Sequence, residues 1–243
     1  MPVKTITAKS VVNADIETIS IICNRADISL MADWLDLHYL MHKVKFPILE
    51  YLTSFFYDKL NESQLIALLD EVISRDREGG YVLAGKALQL LYEVNPDLAL
   101  RKVKEYMILG DKWYSCDIMG ERVFGHAMLT DFEKVFPMMK QATVHENIWV
   151  VRAVGTGIHY ATKKGLEAAA VAHLFDLLCE QKNRMEYHVK KGMGWAVKTV
   201  CKFYPKMVRD KKDSWEDASQ WFITKIDKGF YLSAKYAGKY ESN

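Results

Sequence analysis

The chain has 243 residues, half of them apolar and 26% charged, with a formal net charge of +2. That length can bury a substantial core, the composition is that of an ordinary soluble globular protein, and only five prolines and thirteen glycines disfavour a strand-and-turn architecture. No run of about 18 apolar residues is present to cross a membrane; Met1–Asp15 lacks the apolar stretch of a signal peptide, so a cytoplasmic location is expected.

In chain order, Met1–Ala26 is the least periodic segment. It is expected to be irregular, or an atypical cap, within a single helical domain spanning residues 1–243. Leu30, Trp34, Leu37, Leu40 and Met41 then follow a helical stripe. Pro47 suits the first turn of the next helix. Asn61-Glu62-Ser63 reads as a turn, with Ser63 as N-cap of a helix carrying Leu65, Ile66, Leu68 and Leu69. Gly79-Gly80 is expected to break the chain before the apolar series from Tyr81 to Leu91. Asn95-Pro96 closes that helix and opens another, a phrase repeated at Phe136-Pro137 and Tyr204-Pro205. Arg209–Ser214 is a charged connection before a last helix near Trp215–Ile226.

These units recur. Trp113 and Trp149 are 36 residues apart, and Arg152 and Lys191 are 39 apart. Helix pairs repeating every ~35–45 residues mark a HEAT-like or armadillo-like stack. The expected fold is therefore an all-α superhelix with a concave groove.

Charge is unevenly spread. Residues 1–100 hold 9 Lys+Arg against 14 Asp+Glu, whereas residues 182–212 hold 10 against 2. A basic block of this kind suits an anionic partner, nucleic acid being the commonest, or else a solvated helix face. The four cysteines (Cys23, Cys116, Cys179 and Cys201) lack metal-ligand spacing and read as buried reduced thiols. No P-loop, His-Glu-x-x-His or Gly-x-Ser-x-Gly motif occurs. Gly155-Thr156-Gly157 and Gly192-Met193-Gly194 are fragments of a dinucleotide fingerprint that follow no strand.

What remains is one set of residues. Trp113 and Asp117 share a helix face at i, i+4. Arg152 and Trp195 need only the stacking of later helices to join them. A carboxylate stabilises an oxocarbenium-like sugar and orients water, indole faces attract cationic groups, and a guanidinium grips phosphate. Core packing for the tryptophans, surface pairing of Asp117 with Lys112 or Arg122, and pairing of Arg152 across helices are the competing readings.

Trp113-Tyr114-Ser115-Cys116-Asp117, Glu146-Asn147-Ile148-Trp149-Val150-Val151-Arg152-Ala153 and Lys191-Gly192-Met193-Gly194-Trp195-Ala196-Val197-Lys198 together resemble the alkylpurine DNA glycosylases built from HEAT-like repeats, the AlkD type. The resemblance runs over roughly Tyr81–Val208 and is slight before it. It implies a monofunctional enzyme without metal or cofactor, acting on double-stranded DNA that contains alkylated purines; a monomer is the simpler expectation for a duplex clamp. In it Asp117 is the carboxylate that stabilises the sugar cation, Trp113 and Trp195 contact the lesion's deoxyribose, and Arg152 holds phosphate. Arg152, Lys190, Lys191, Lys198 and Trp149 are the expected DNA contacts. Gly155 and Gly157 stand where the family more often has larger apolar residues. They imply close helix packing or a close approach of backbone to DNA.

Overall fold

The computed structural model describes residues 3–240, with side chains described for residues 3–237. They fall into two compact units, Met1–Gly110 and Asp111–Asn243.

In the first unit, β1 (Thr5–Ile6) pairs in parallel with β2 (Lys43–Val44). The helices are α1 (Lys9–Asn24), α2 (Ile28–Leu35), α3 (Phe46–Lys59), α4 (Glu62–Ser74), α5 (Glu78–Tyr92) and α6 (Pro96–Gly110). They alternate between two layers: α1, α3 and α5 pack in sequence, while α4 packs against α2 and α6. Each pair thus covers the apolar stripe its predecessor exposes, as helical repeats require.

Four local expectations need correction. The weakly periodic N-terminal segment holds a 16-residue helix, α1, whose inner face buries Val12, Ile19, Ile22 and Cys23. The stripe through Leu37 and Met41 is broken by a π-helical turn at Asp36–Leu40. Its wider winding moves the phase, so that Tyr39 and Leu40 are buried and Leu37 and Met41 exposed. The cap of α4 is Asn61 rather than Ser63: Asn61 Oδ1 accepts from Gln64 N at 2.9 Å, and Gln64 Oε1 accepts from Asn61 N at 3.1 Å, a complete capping box. Gly79 and Gly80 lie inside the first turn of α5, where backbone N–H groups lack helical partners in any case. A Cβ on Gly80 would come within 3.0 Å of Val72 Cγ1, so that glycine serves helix packing.

The second unit contains α7 (Trp113–Met119), a π-helical turn (Gly120–Phe124), α8 (Gly125–Thr130), α9 (Phe132–Thr143), α10 (Ile148–Lys163), α11 (Ala168–Glu180), α12 (Tyr187–Phe203), α13 (Pro205–Asp210) and α14 (Gln220–Tyr240). Segments α7 and α8 run on through the π turn without a break. Pro137 sits within α9 instead of opening a helix, while Pro205 does open α13. The last helix starts at Gln220, because a 3-10 turn at Lys212–Ser214 and a hydrogen bond from Trp215 Nε1 to Val208 O (3.0 Å) hold the preceding segment in a compact connection.

Helices α7–α8, α10, α12 and α14 stack in order, with α9, α11 and α13 on the other layer. At the centre of the stack, every residue of α10 from Trp149 to His159 is buried. The architecture is all-α, built of repeated helix pairs. All four cysteines are buried and free. No described helix is long and apolar enough to cross a membrane.

Candidate functional site

The first helices of three successive repeats open at Trp113, Ile148 and Tyr187. Four residues after each start stand Asp117, Arg152 and Lys191. Equivalent positions on neighbouring repeats lie side by side, so the stack itself forms a row of charges.

Its first two members are locked together. Arg152 Nε donates to Asp117 Oδ1 and Nη2 to Oδ2, both at 2.8 Å. The side chains are only 9% and 15% exposed, so this is a buried bidentate pair. Burial works to lower the Arg152 pKa, and the hydrogen bonds and charge of Asp117 outweigh it, raising the value. The third guanidinium nitrogen, Nη1, reaches His188 O at a long 3.5 Å. Burial pushes the neighbouring Cys116 thiol well above its usual pKa, and the Asp117 charge adds to this, so the sulfur is inert.

Glycine packing sets this geometry. A Cβ on Gly155 would fall 2.5 Å from Gly192 O, and one on Gly192 would fall 2.7 Å from Arg152 Cγ. Helices α10 and α12 therefore touch backbone to backbone beside Arg152. Between the two explanations for Gly155, the structure selects close helix packing. Gly157 likewise faces Phe124 and Met128, not solvent. On the other side, Gly120 of the π turn packs against Ala153 and Thr156.

The tryptophans divide. Trp113 opens α7, is 56% exposed, and meets Tyr114 edge-on at 5.8 Å. Trp195 is half-buried, its indole stacked on the His159 imidazole at 4.1 Å and 25°. His159 lies seven residues after Arg152, which places this stack roughly 10 Å along α10 from the ion pair. Trp149, expected to contact DNA, is 8% exposed. Its Nε1–H donates to Asp111 Oδ1 at 2.6 Å, and its ring rests 4.4 Å from His188. It anchors the chain ahead of α7: Asp111, at φ +44, is a non-glycine residue in the left-handed region, two residues before Trp113. Arg152, expected on phosphate, is held by Asp117. Lys190 and Lys198 are half-buried and Lys191 exposed, its Nζ 5.1 Å from the Tyr187 ring centroid.

Two participants were not singled out by the residue pattern. His159 supports Trp195 from below. Thr199 Oγ1 donates to Trp195 O at 2.9 Å and meets His159 Nδ1 at 2.6 Å. With its hydrogen used on the carbonyl, the hydroxyl accepts from Nδ1–H, which fixes the tautomer of a neutral ring. Burial, then Lys163 and Lys198, lower the His159 pKa from 6.5 to about 4. The unfolded imidazole therefore takes up a proton between these two values while the folded one does not. Stability is full above about pH 6.5 and falls as pH drops towards 4, by on the order of 2 kcal/mol. Urea unfolding of the native chain and His159→Gln at pH 7 and pH 4.5 checks this: the variant should lose part of the native chain's acid sensitivity. Equal sensitivity would refute the assignment. Glu121, in the π turn, is the second: burial raises its pKa and the Asp117 charge adds to that, against Arg122 and Lys163.

Among the described residues, no group of three or more His, Cys, Asp or Glu is arranged to hold a metal ion.

Comparison with known proteins places the chain. The crystal structure of AlkD2 from Streptococcus mutans superposes with a TM-score of 0.69 at 14% identity, covering 86% of this chain and 99% of that one, which shows a shared fold. No curated protein matches. The family described as DNA alkylation repair enzyme matches residues 28–210, reaching well before Tyr81, where the sequence resemblance fades. With that match over most of its length, the chain belongs to the DNA alkylation repair enzyme family.

Proposed function

We propose that the chain is a monofunctional DNA glycosylase. It excises cationic N3- and N7-alkylated purines, of the 3-methyladenine and 7-methylguanine type, from duplex DNA by hydrolysing the N-glycosidic bond. It acts in base excision repair, as a cytoplasmic monomer without metal or cofactor. The observation that carries this reading is the buried Asp117–Arg152 pair beside the exposed indole of Trp113.

The chemistry follows from charge. An alkylated purine is already a good leaving group, so no acid is needed to protonate it. The barrier lies in the positive charge that develops on the sugar. A bidentate guanidinium uses one lone pair on each oxygen of Asp117, leaving a second on each, with the Cys116 thiol 3.8 Å from Oδ1. The remaining lone pairs orient a water and face the sugar cation, and Arg152 keeps the carboxylate in one rotamer. The indoles of Trp113 and Trp195 offer π faces to the polarised deoxyribose. Arg152 Nη1 retains donor capacity towards a phosphate. Lys190, Lys191 and Lys198 bear on the backbone, which makes affinity salt-dependent. Trp149 acts indirectly, through Asp111.

A second reading is a non-catalytic protein that binds branched or otherwise unusual DNA on the same scaffold. It is favoured by the closed state of the pair, in which both Asp117 oxygens are already engaged. Incubation with methylated duplex, followed by chromatography of released bases, separates the two. Release of 3-methyladenine or 7-methylguanine supports the glycosylase. Tight binding of branched DNA with no release in the same preparation supports the binder.

A further inference from the structure

The row of charges does not end at Lys191. Helix α14 lies against α12, with Gly229 packed on Cys201 and the Lys198 carbonyl. Gly194 leaves room for the Lys225 stem: a Cβ there would meet Lys225 Cε at 3.0 Å and Cγ at 3.1 Å. Lys191, Lys198 and Lys202 follow one face of α12 at i, i+7 and i+11, and Lys225 and Lys228 follow α14 at i and i+3. Along α12 alone the row spans roughly 16 Å at 1.5 Å per residue.

These cations are crowded against one another. Burial lowers the Lys198 pKa, and Lys228, Lys225 and Lys202 lower it further. Burial also lowers that of Lys225, with Lys191 and Lys228 adding to it. None of Lys191, Lys198, Lys225 and Lys228 makes a salt bridge among the described residues. Burial raises the pKa of the Cys201 thiol, and Asp227, beside Lys228 in sequence, adds to it. Elsewhere in this unit lysines do find carboxylates: Lys211 binds Asp176, and Lys206 binds Asp210. Lys191, Lys198, Lys225 and Lys228, gathered without salt-bridge partners, lower the stability of the free protein and suit a polyanion. A straight row of this length fits a continuous phosphate backbone better than a single small anion.

We propose that α14, through Lys225 and Lys228 set against Lys191, Lys198 and Lys202 of α12, is a seat for the phosphate backbone of duplex DNA. Helix α14 lies outside the family-matched residues 28–210. The inference rests on the reading of the protein as DNA-binding, and it does not require base excision.

The test is binding of a fluorescein-labelled, undamaged duplex by anisotropy, from about 50 to about 200 mM salt. The full chain is compared with Lys225→Gln/Lys228→Gln and with a control of equal charge, Lys134→Gln/Lys140→Gln on α9. The α14 variant should bind more weakly, its log Kobs against log[salt] slope shallower by about 2, near 0.9 per lost phosphate contact. The control should match the native slope. Lys228→Glu, at an exposed position, supplies the same answer if the double variant misfolds, and thermal melts establish which variants fold. Equal slopes for native and α14 variants, an equal loss in the control, or no duplex binding by the native chain overturns the proposal. Base release from methylated duplex is followed in parallel. Loss of slope without any base release sustains the seat and removes the glycosylase; release with unchanged slopes does the reverse.

Discussion

Asp117→Asn is expected to reduce base release about 10²–10³-fold, the range seen when one preorganised electrostatic group is removed from a transition state. Duplex affinity at fixed salt should change little, because the carboxylate contributes nothing attractive to phosphates. The substitution has a second cost. It places an amide N–H₂ against one of the two guanidinium donors and leaves the buried Arg152 charge uncompensated. Breaking one side of a buried pair costs about 3–5 kcal/mol. Activity is therefore measured well below the variant's melting temperature, with circular dichroism to establish that it is folded. Release within a few-fold of the native chain would remove Asp117 from the chemistry. A parallel loss of activity and DNA affinity in a folded variant would make the pair a structural strut.

Gly155→Ala should destabilise the chain by about 3 kcal/mol, at the upper end for overpacking. The sign is the informative part. In a solvent-facing helix, glycine to alanine gains about 1 kcal/mol. Here the new methyl would sit 2.5 Å from Gly192 O, and backbone cannot move aside as a flexible side chain does. Helix α12 must shift outward and carry Trp195 off His159. Gly192→Ala meets the same contact from the other side, so the two costs should not add. Urea unfolding reads the stability and base release reads the site. A Gly155→Ala midpoint at or above the native one would show that the helices separate freely, and the account of how Arg152 is placed would fail.

Much of this was legible in the sequence because repetition is legible. Apolar stripes, Asn95-Pro96 and Tyr204-Pro205, and the spacing of 35 and 39 residues between the starts of α7, α10 and α12 are all linear signals. The π turns at Asp36–Leu40 and Gly120–Phe124 are not. One extra residue per turn leaves no compositional mark, and the first of them carried the stripe of Leu37 and Met41 to solvent. Pro137 misled because a proline reads as a boundary, and here it lies in the interior of a helix.

Asp117, Arg152, Trp113 and Trp195 were singled out together in the sequence, but their spatial relations were not legible there. Arg152 reads as a phosphate ligand or as half of a pair across helices, and only the stack names Asp117 as its partner. The signal lay in the repeats, since both residues stand four after a helix start. Trp149 was taken for an exposed contact because its burial depends on Asp111 and His188, 38 and 39 residues away. The lysines of α14 escaped notice because the basic block thins out after Lys212, and only packing returns Lys225 and Lys228 to it.

The full enclosure of α10 has a consequence for how the molecule comes apart. In a stacked array, each layer is held only by its neighbours, and opening proceeds from the ends inward. Amide hydrogens of α10 should exchange with solvent deuterium last, through global unfolding alone. Those of α14, packed on α12 and α13 at one edge of this unit, should exchange earlier, by local detachment. The carboxylate–guanidinium pair would then outlast the departure of α14. A chain that has let go of one lysine-bearing layer would keep the Asp117–Arg152 pair intact and should release bases while binding duplex less tightly.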